Sequence, residues 1–194
     1  MITARPLAVV IAALLVTPGL ACRASGGRSA APAGAPVSET ASRAPEEIFA
    51  IDPHIVTAVE YRSASGQVVA QRPGSSNDPF SIAVTSAAGA VERCRAGSGF
   101  DAVLSQLVSI HARPLTQAER QAIGAPAKRD QARLRILDAT AIGPQEFGII
   151  LDSRYDGAVL FDGDRAYVST VPKTTFQRLS GGCAVLGRPV RPVP

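Results

Sequence analysis

Between Ile55 and Val84 two runs, Ile55 to Tyr61 and Phe80 to Val84, alternate with a period of two, as a strand does that buries one face of a sheet. In Ile55-Val56-Thr57-Ala58-Val59-Glu60-Tyr61-Arg62, the residues Ile55, Thr57, Val59 and Tyr61 share a face. Ser65-Gly66 turns this strand into a second, Gln67 to Arg72, so the pair reads as a hairpin. Phe80, Ile82 and Val84 form a third strand, and Val91 to Cys94 a fourth.

The period changes at Ser98. Phe100, Val103, Leu104, Leu107 and Val108 fall at helical spacing, with Ser98 placed to cap and Asp101 three residues on. His111 is expected to end this helix, where the terminal dipole suits a partly charged imidazole. Thr116 with Glu119 signals a second, short helix stopped by Gly124.

Leu134 and Ile136, then Phe147, Ile149 and Leu151, alternate in two further strands. Asp162-Gly163 supplies the positive φ that a tight hairpin needs between Ala158–Phe161 and Arg165–Val171. Thr174 or Thr175 is placed to cap a short helix through Leu179, ended by Gly181-Gly182, with Cys183 to Leu186 as a last strand. No internal repeat is visible. This succession predicts an α+β domain: an antiparallel sheet with one main helix and short helices packed on one face.

The first residues read as a secretory signal peptide: Arg5, an apolar run from Leu7 to Val16, then Pro18, Gly19 and the small residue Ala21. The apolar run is about ten residues, half of the roughly 20 that a spanning helix needs. Cleavage is expected before Cys22. Leu20-Ala21-Cys22 resembles the bacterial lipobox, whose cysteine is acylated and becomes the new N-terminus, although Gly19 stands where leucine is usual. Three cysteines in an exported chain leave one over after pairing. Lipid on Cys22 would account for it and leave Cys94 and Cys183 to form a disulfide.

Residues 1–21 are thus assigned to the signal and 22–45 to the lipidated cysteine and a disordered tether of Ala, Gly, Ser and Pro. Residues 46–188 form a single domain, and 189–194 a Pro-rich tail. The net charge of +4 includes Arg5, which leaves with the signal, so the mature chain carries +3. That is too little to argue for nucleic acid.

The order from Val56-Thr57-Ala58-Val59-Glu60-Tyr61 through Phe80-Ser81-Ile82-Ala83-Val84 to Phe100–Leu107, with the late hairpin Gly157–Val168, resembles one module of an uncharacterised envelope family. Members of that family occur beside gliding-motility-type ABC transporter components. The usual tryptophan after the second hairpin is replaced by Phe80. The resemblance implies an envelope protein complex as partner. It transfers no catalytic residue, because the family has none assigned.

The residues themselves offer little chemistry. His54 and His111 lack further ligands at metal-binding spacing. Asp152-Ser153-Arg154-Tyr155-Asp156-Gly157 begins like a calcium loop, but position three is Arg154 and position twelve is Gly163. Ser98 lacks the glycines two residues away on either side that a nucleophile elbow needs. No metal, cofactor or catalytic residue is assigned.

The expectation is a non-catalytic, lipid-anchored envelope module facing the periplasm, acting through protein contacts. Arg23 in place of an inner-membrane retention Asp leans towards the outer membrane. Two alternatives stay open: a binding module for cell-wall glycan or a small ligand, marked by an exposed platform of Tyr61, Tyr155 or Tyr167, and a hydrolase using Asp152, Asp156, Asp162 and Asp164 with His111.

Overall fold

The computed structural model describes residues 43–75, 77–124, 132–140 and 143–189. The expected signal segment, Cys22 and most of the expected tether lie outside them, as does the tail beyond Pro189. Among the described residues the chain forms β1 (Glu46–Ala50), β2 (Val56–Ser63), β3 (Gly66–Gln71), β4 (Ser81–Ser86), β5 (Val91–Ala96), α1 (Ser98–Leu107), β6 (Ser109–Pro114) and α2 (Gln117–Ile123). There follow β7 (Ala132–Asp138), β8 (Gln145–Ile150), β9 (Gly157–Asp162), β10 (Arg165–Pro172), α3 (Lys173–Ser180), α4 (Cys183–Leu186) and β11 (Gly187–Pro189).

All eleven strands join one antiparallel sheet in the order β1-β6-β10-β9-β8-β7-β2-β3-β4-β5-β11. Strand takes up 49% of the described residues and helix 21%. The α+β assignment is therefore corrected to a predominantly β fold carrying a few short helices. The helices are also not confined to one face. The main core joins Phe100, Leu104 and Leu107 of α1 and Phe176 and Leu179 of α3 to Val59, Tyr61, Ile82, Leu134, Phe147 and Leu160 of the sheet. A second cluster of Leu115, Val159 and Ala166, with Ile123 of α2 against it, lies on the other face beside β9 and β10. In β9, accordingly, alternate side chains serve different cores: Ala158 and Leu160 one, Val159 the other.

The sheet order is a palindrome once β1 is set aside. The half β2-β3-β4-β5-α1-β6 has the same topology as β7-β8-β9-β10-α3-α4-β11, and β2 meets β7 at the centre. Each half gives its last strand to the other: β6 pairs with β10, and β11 with β5. The repeat absent from the sequence is thus present in the architecture. Phe100 and Phe176 sit in the first turn of their helices, fully buried, one in each half.

Several local expectations change. A bulge between Val56 and Ala58 resets the alternation, so Val56, Val59 and Tyr61 reach the core in place of Ile55 and Thr57. Thr57 instead donates its hydroxyl to the Leu137 carbonyl, at 3.2 Å. Gly97, not Ser98, is the N-cap of α1, with no side-chain bond. Neither Thr174 nor Thr175 caps α3, whose N-cap is Pro172. His111 lies inside β6, opposite Glu47, rather than at a helix end. Cys183 opens the single turn of α4, and the last strand begins only at Gly187.

Cys94 and Cys183 form a disulfide with their Cα atoms 5.8 Å apart. Both are buried, and β11 runs beside β5, with Pro189 opposite Cys94. The bond ties the fourth strand of the first half to the end of the second. Close by, α1 rests on α4: a Cβ added at Gly99 would collide with the carbonyl of Val185.

Candidate functional site

On the outer face of the β6, β9 and β10 segment, the chain leaves an open cleft of about 460 Å³ lined by Arg113, Arg154, Tyr155, Asp156 and Thr170, among others. Its walls follow from local sequence. Thr116 and Glu119 make the expected capping box, the Thr116 hydroxyl accepting from the Glu119 N–H while the Glu119 carboxylate accepts from the Thr116 N–H. The same carboxylate takes both ends of the Arg113 guanidinium, at 2.9 and 2.6 Å, and so fastens α2 to β6. Hydrogen bonding from Arg113 is the main cause that lowers the Glu119 carboxyl to about 2, helped by the Thr116 bonds. The same bond raises Arg113.

Across the cleft Arg154 folds back on Asp152 in a two-point contact of 2.9 and 2.5 Å. Its side-chain hydrogen bond is the leading cause that brings Asp152 to about 2. The Arg154 guanidinium also lies 5.9 Å from the centre of the Tyr155 ring. Burial, and next the charge of Glu119, push the Tyr155 phenol upward. The floor holds Ser169, whose hydroxyl is buried and donates to the Ala158 carbonyl at 2.9 Å. Both arginines are committed to carboxylates, so the cleft offers an incoming group Tyr155, Asp156 and Thr170 more readily than free positive charge.

The acidic group proposed for a hydrolase is not assembled. Asp152 is taken by Arg154, and Asp156 precedes β9. Asp162 and Asp164 flank the Gly163 turn at the other end of that six-residue strand, roughly 20 Å away at 3.3 Å per residue. Among the described residues no hydrogen bond or ion pair joins the His111 side chain to any of these carboxylates. His54 is exposed, its N–H held by Asp52 at 2.8 Å. The aromatic platform does not form either. Tyr61 is buried with its ring centre 6.1 Å from that of Phe176, while Tyr155 packs at the edge of the second core.

Sequence reasoning found the capping box but missed Arg113, because β6 was absorbed into the preceding helix. The alternation of buried Ile110 and Ala112 with His111 and Arg113 was the available signal. Among the described residues, no group of three or more His, Cys, Asp or Glu side chains could hold a metal ion. Nor is any described helix long and apolar enough to cross a membrane. Comparison with protein-family models, with curated proteins and with solved structures finds no match to this chain.

Proposed function

We propose that this chain is a non-catalytic module of the bacterial cell envelope, held to a membrane by lipid on Cys22 and acting through contacts with an envelope protein complex. The observation that carries the reading is the Cys94–Cys183 disulfide. Structural disulfides belong to oxidising compartments. With those two cysteines joined, Cys22 is the one left over, and it stands directly after Leu20-Ala21 at the end of the signal-like segment. The resemblance to modules beside motility-type transporters supports a complex as partner, and Arg23 favours the outer membrane.

Fractionation tests this reading. The native protein should remain with membranes after a high-salt wash, because two or three acyl chains hold firmly where one gives only marginal binding. The Cys22→Ser protein should move to the soluble fraction; its retention would refute the anchor. A second reading, a binding module for a small polar ligand or glycan fragment, is favoured by the open cleft at Tyr155, Asp156 and Thr170. Glycan-fragment binding lost on Tyr155→Ala would select it.

A further inference from the structure

Among the described residues, no helix packs on the outer face of β11, β5, β4, β3, β2 and β7. Strand register assigns its side chains. Cys94 and Ile82 point into the core, so Arg93 and Arg95 of β5 point outwards with Ala83 and Ser81 of β4 opposite them. Arg188 of β11 stands directly opposite Arg95, and paired residues of an antiparallel ladder project to the same side. In β2 and β7, Arg62 stands directly opposite Arg133. Like charges at such positions destabilise a sheet, so this face twice carries an arrangement unfavourable to the isolated protein.

Its acidic residues do not neutralise it. Glu60 takes Arg135 at 2.9 Å, and Glu146 lies 3.8 Å from Arg133. Among the described residues, Arg62, Arg93, Arg95 and Arg188 are paired with no carboxylate. Arg93, Arg95 and Arg188 are all exposed, and Val91, 56% exposed, is the next outward residue of β5. The result is three uncompensated guanidinium groups beside an exposed aliphatic side chain, two of them on β5, which the disulfide fastens to α4, and one on its neighbour β11. Guanidinium forks match phosphate oxygens, and an exposed valine adds apolar contact at a lipid surface.

We infer that the face carrying Arg93, Arg95 and Arg188 docks onto the anionic phospholipid headgroups of the membrane to which the protein is tethered. The inference rests on the tethering reading for its location, but the binding belongs to the sheet face and needs no lipid on Cys22. Docked in this way, the domain would lie with its outer sheet face on the bilayer and its helices α1 and α3 turned away. Partners in a complex would then meet the helical side.

The test uses the chain from Arg23 to Pro194, oxidised, which retains every described element and the disulfide but cannot be lipidated. It is mixed with vesicles of phosphatidylglycerol and phosphatidylcholine in equal parts, and with vesicles of phosphatidylcholine alone. Co-sedimentation is expected with the first and not the second, and should fall steeply as salt is raised. An arginine near an anionic surface is worth roughly fivefold in binding, so Arg93→Gln, Arg95→Gln and Arg188→Gln together should weaken it on the order of 100-fold.

A control with Arg120→Gln, Arg165→Gln and Arg178→Gln removes the same charge elsewhere and should bind like the parent. Equal loss in both triple variants would overturn the proposal, since net charge rather than this face would then explain binding. So would absence of binding to phosphatidylglycerol vesicles. Binding of poly-glutamate without vesicle binding would also overturn it and would assign the face to an acidic protein. Membrane retention of the Cys22→Ser protein bears on the anchor alone, so the two readings fail separately.

Discussion

Cys94 of β5 and Cys183 of α4 are bonded across 89 residues of chain, with their Cα atoms 5.8 Å apart. The link is placed where the two halves exchange strands, since β11 leaves α4 to pair with β5. It therefore closes the domain at an edge where only three residues of β11 pair with three of β5.

Reduction of this bond should lower the thermal midpoint. A crosslink closing a loop of that length stabilises by about 4.6 kcal/mol on the chain-entropy model. Cys94→Ala should lower the midpoint by a similar or somewhat larger amount, because Cys94 is fully buried and its side chain packs in the core. Adding reductant to that variant should then change little. Melting curves of the two proteins with and without reductant make the comparison. An unchanged midpoint on full reduction would contradict the structural role of the bond.

The second prediction concerns pH. Glu119 is held at about 2, below its ordinary 4.5, by Arg113 and by the capping bonds. A carboxyl depressed by folding contributes stability that is complete above the unfolded value and is lost as pH falls through the folded one. Glu119→Gln should therefore cost about 1 kcal/mol at neutral pH, in line with a partly exposed two-point pair joined to a cap. Its difference from the parent should shrink as pH falls from 4.5 towards 2. Urea unfolding of both proteins at neutral pH and near pH 3 measures this, and a difference independent of pH would sink the account.

The third prediction concerns the seat of α1 on α4. Gly99→Ala would push a methyl group into the Val185 carbonyl, where backbone on both sides limits relaxation. The expected cost is about 1 to 3 kcal/mol, typical of overpacking. At Gly143 an added Cβ meets nothing. Gly143→Ala should thus stay within about 0.5 kcal/mol of the parent. Chemical denaturation of the two variants checks the pair.

Much of the strand order was legible in the chain because period-two runs flank strong turn signals. Ala64-Ser65 join β2 to β3 and Gly163-Asp164 join β9 to β10, each one residue from the expected Ser65-Gly66 and Asp162-Gly163, with Gly163 at φ +56°. The strand β6 was not legible. It follows α1 directly, and Ile110 extends the apolar series of Leu107 and Val108, so helical spacing claimed it. The pairing of β6 with β10 was equally hidden, because no local pattern records a partner so far away in sequence, whereas a Cys94–Cys183 bridge already requires the C-terminal strand to run beside the segment around Val91 to Arg95, as β11 does. Missing β6, and with it the pairing to β10, helped make the fold read as α+β.

The candidate sites divide in the same way. Thr116 and Glu119 announce their cap over three residues. The Arg113 contact depends on β6 being a strand, and the juxtaposition of Arg95 with Arg188 depends on a register that only the folded sheet fixes.

The central claim is that Cys22 carries lipid, and the intact mass of the protein extracted from native membranes tests it most directly. The account predicts a chain beginning at residue 22, heavier than residues 22–194 alone by a diacylglyceryl group, with or without an additional amide-linked acyl chain, and lacking two further hydrogens for the Cys94–Cys183 bond. A mass equal to that of the unmodified chain with a free Cys22 thiol, or one that still includes residues 1–21, would contradict it.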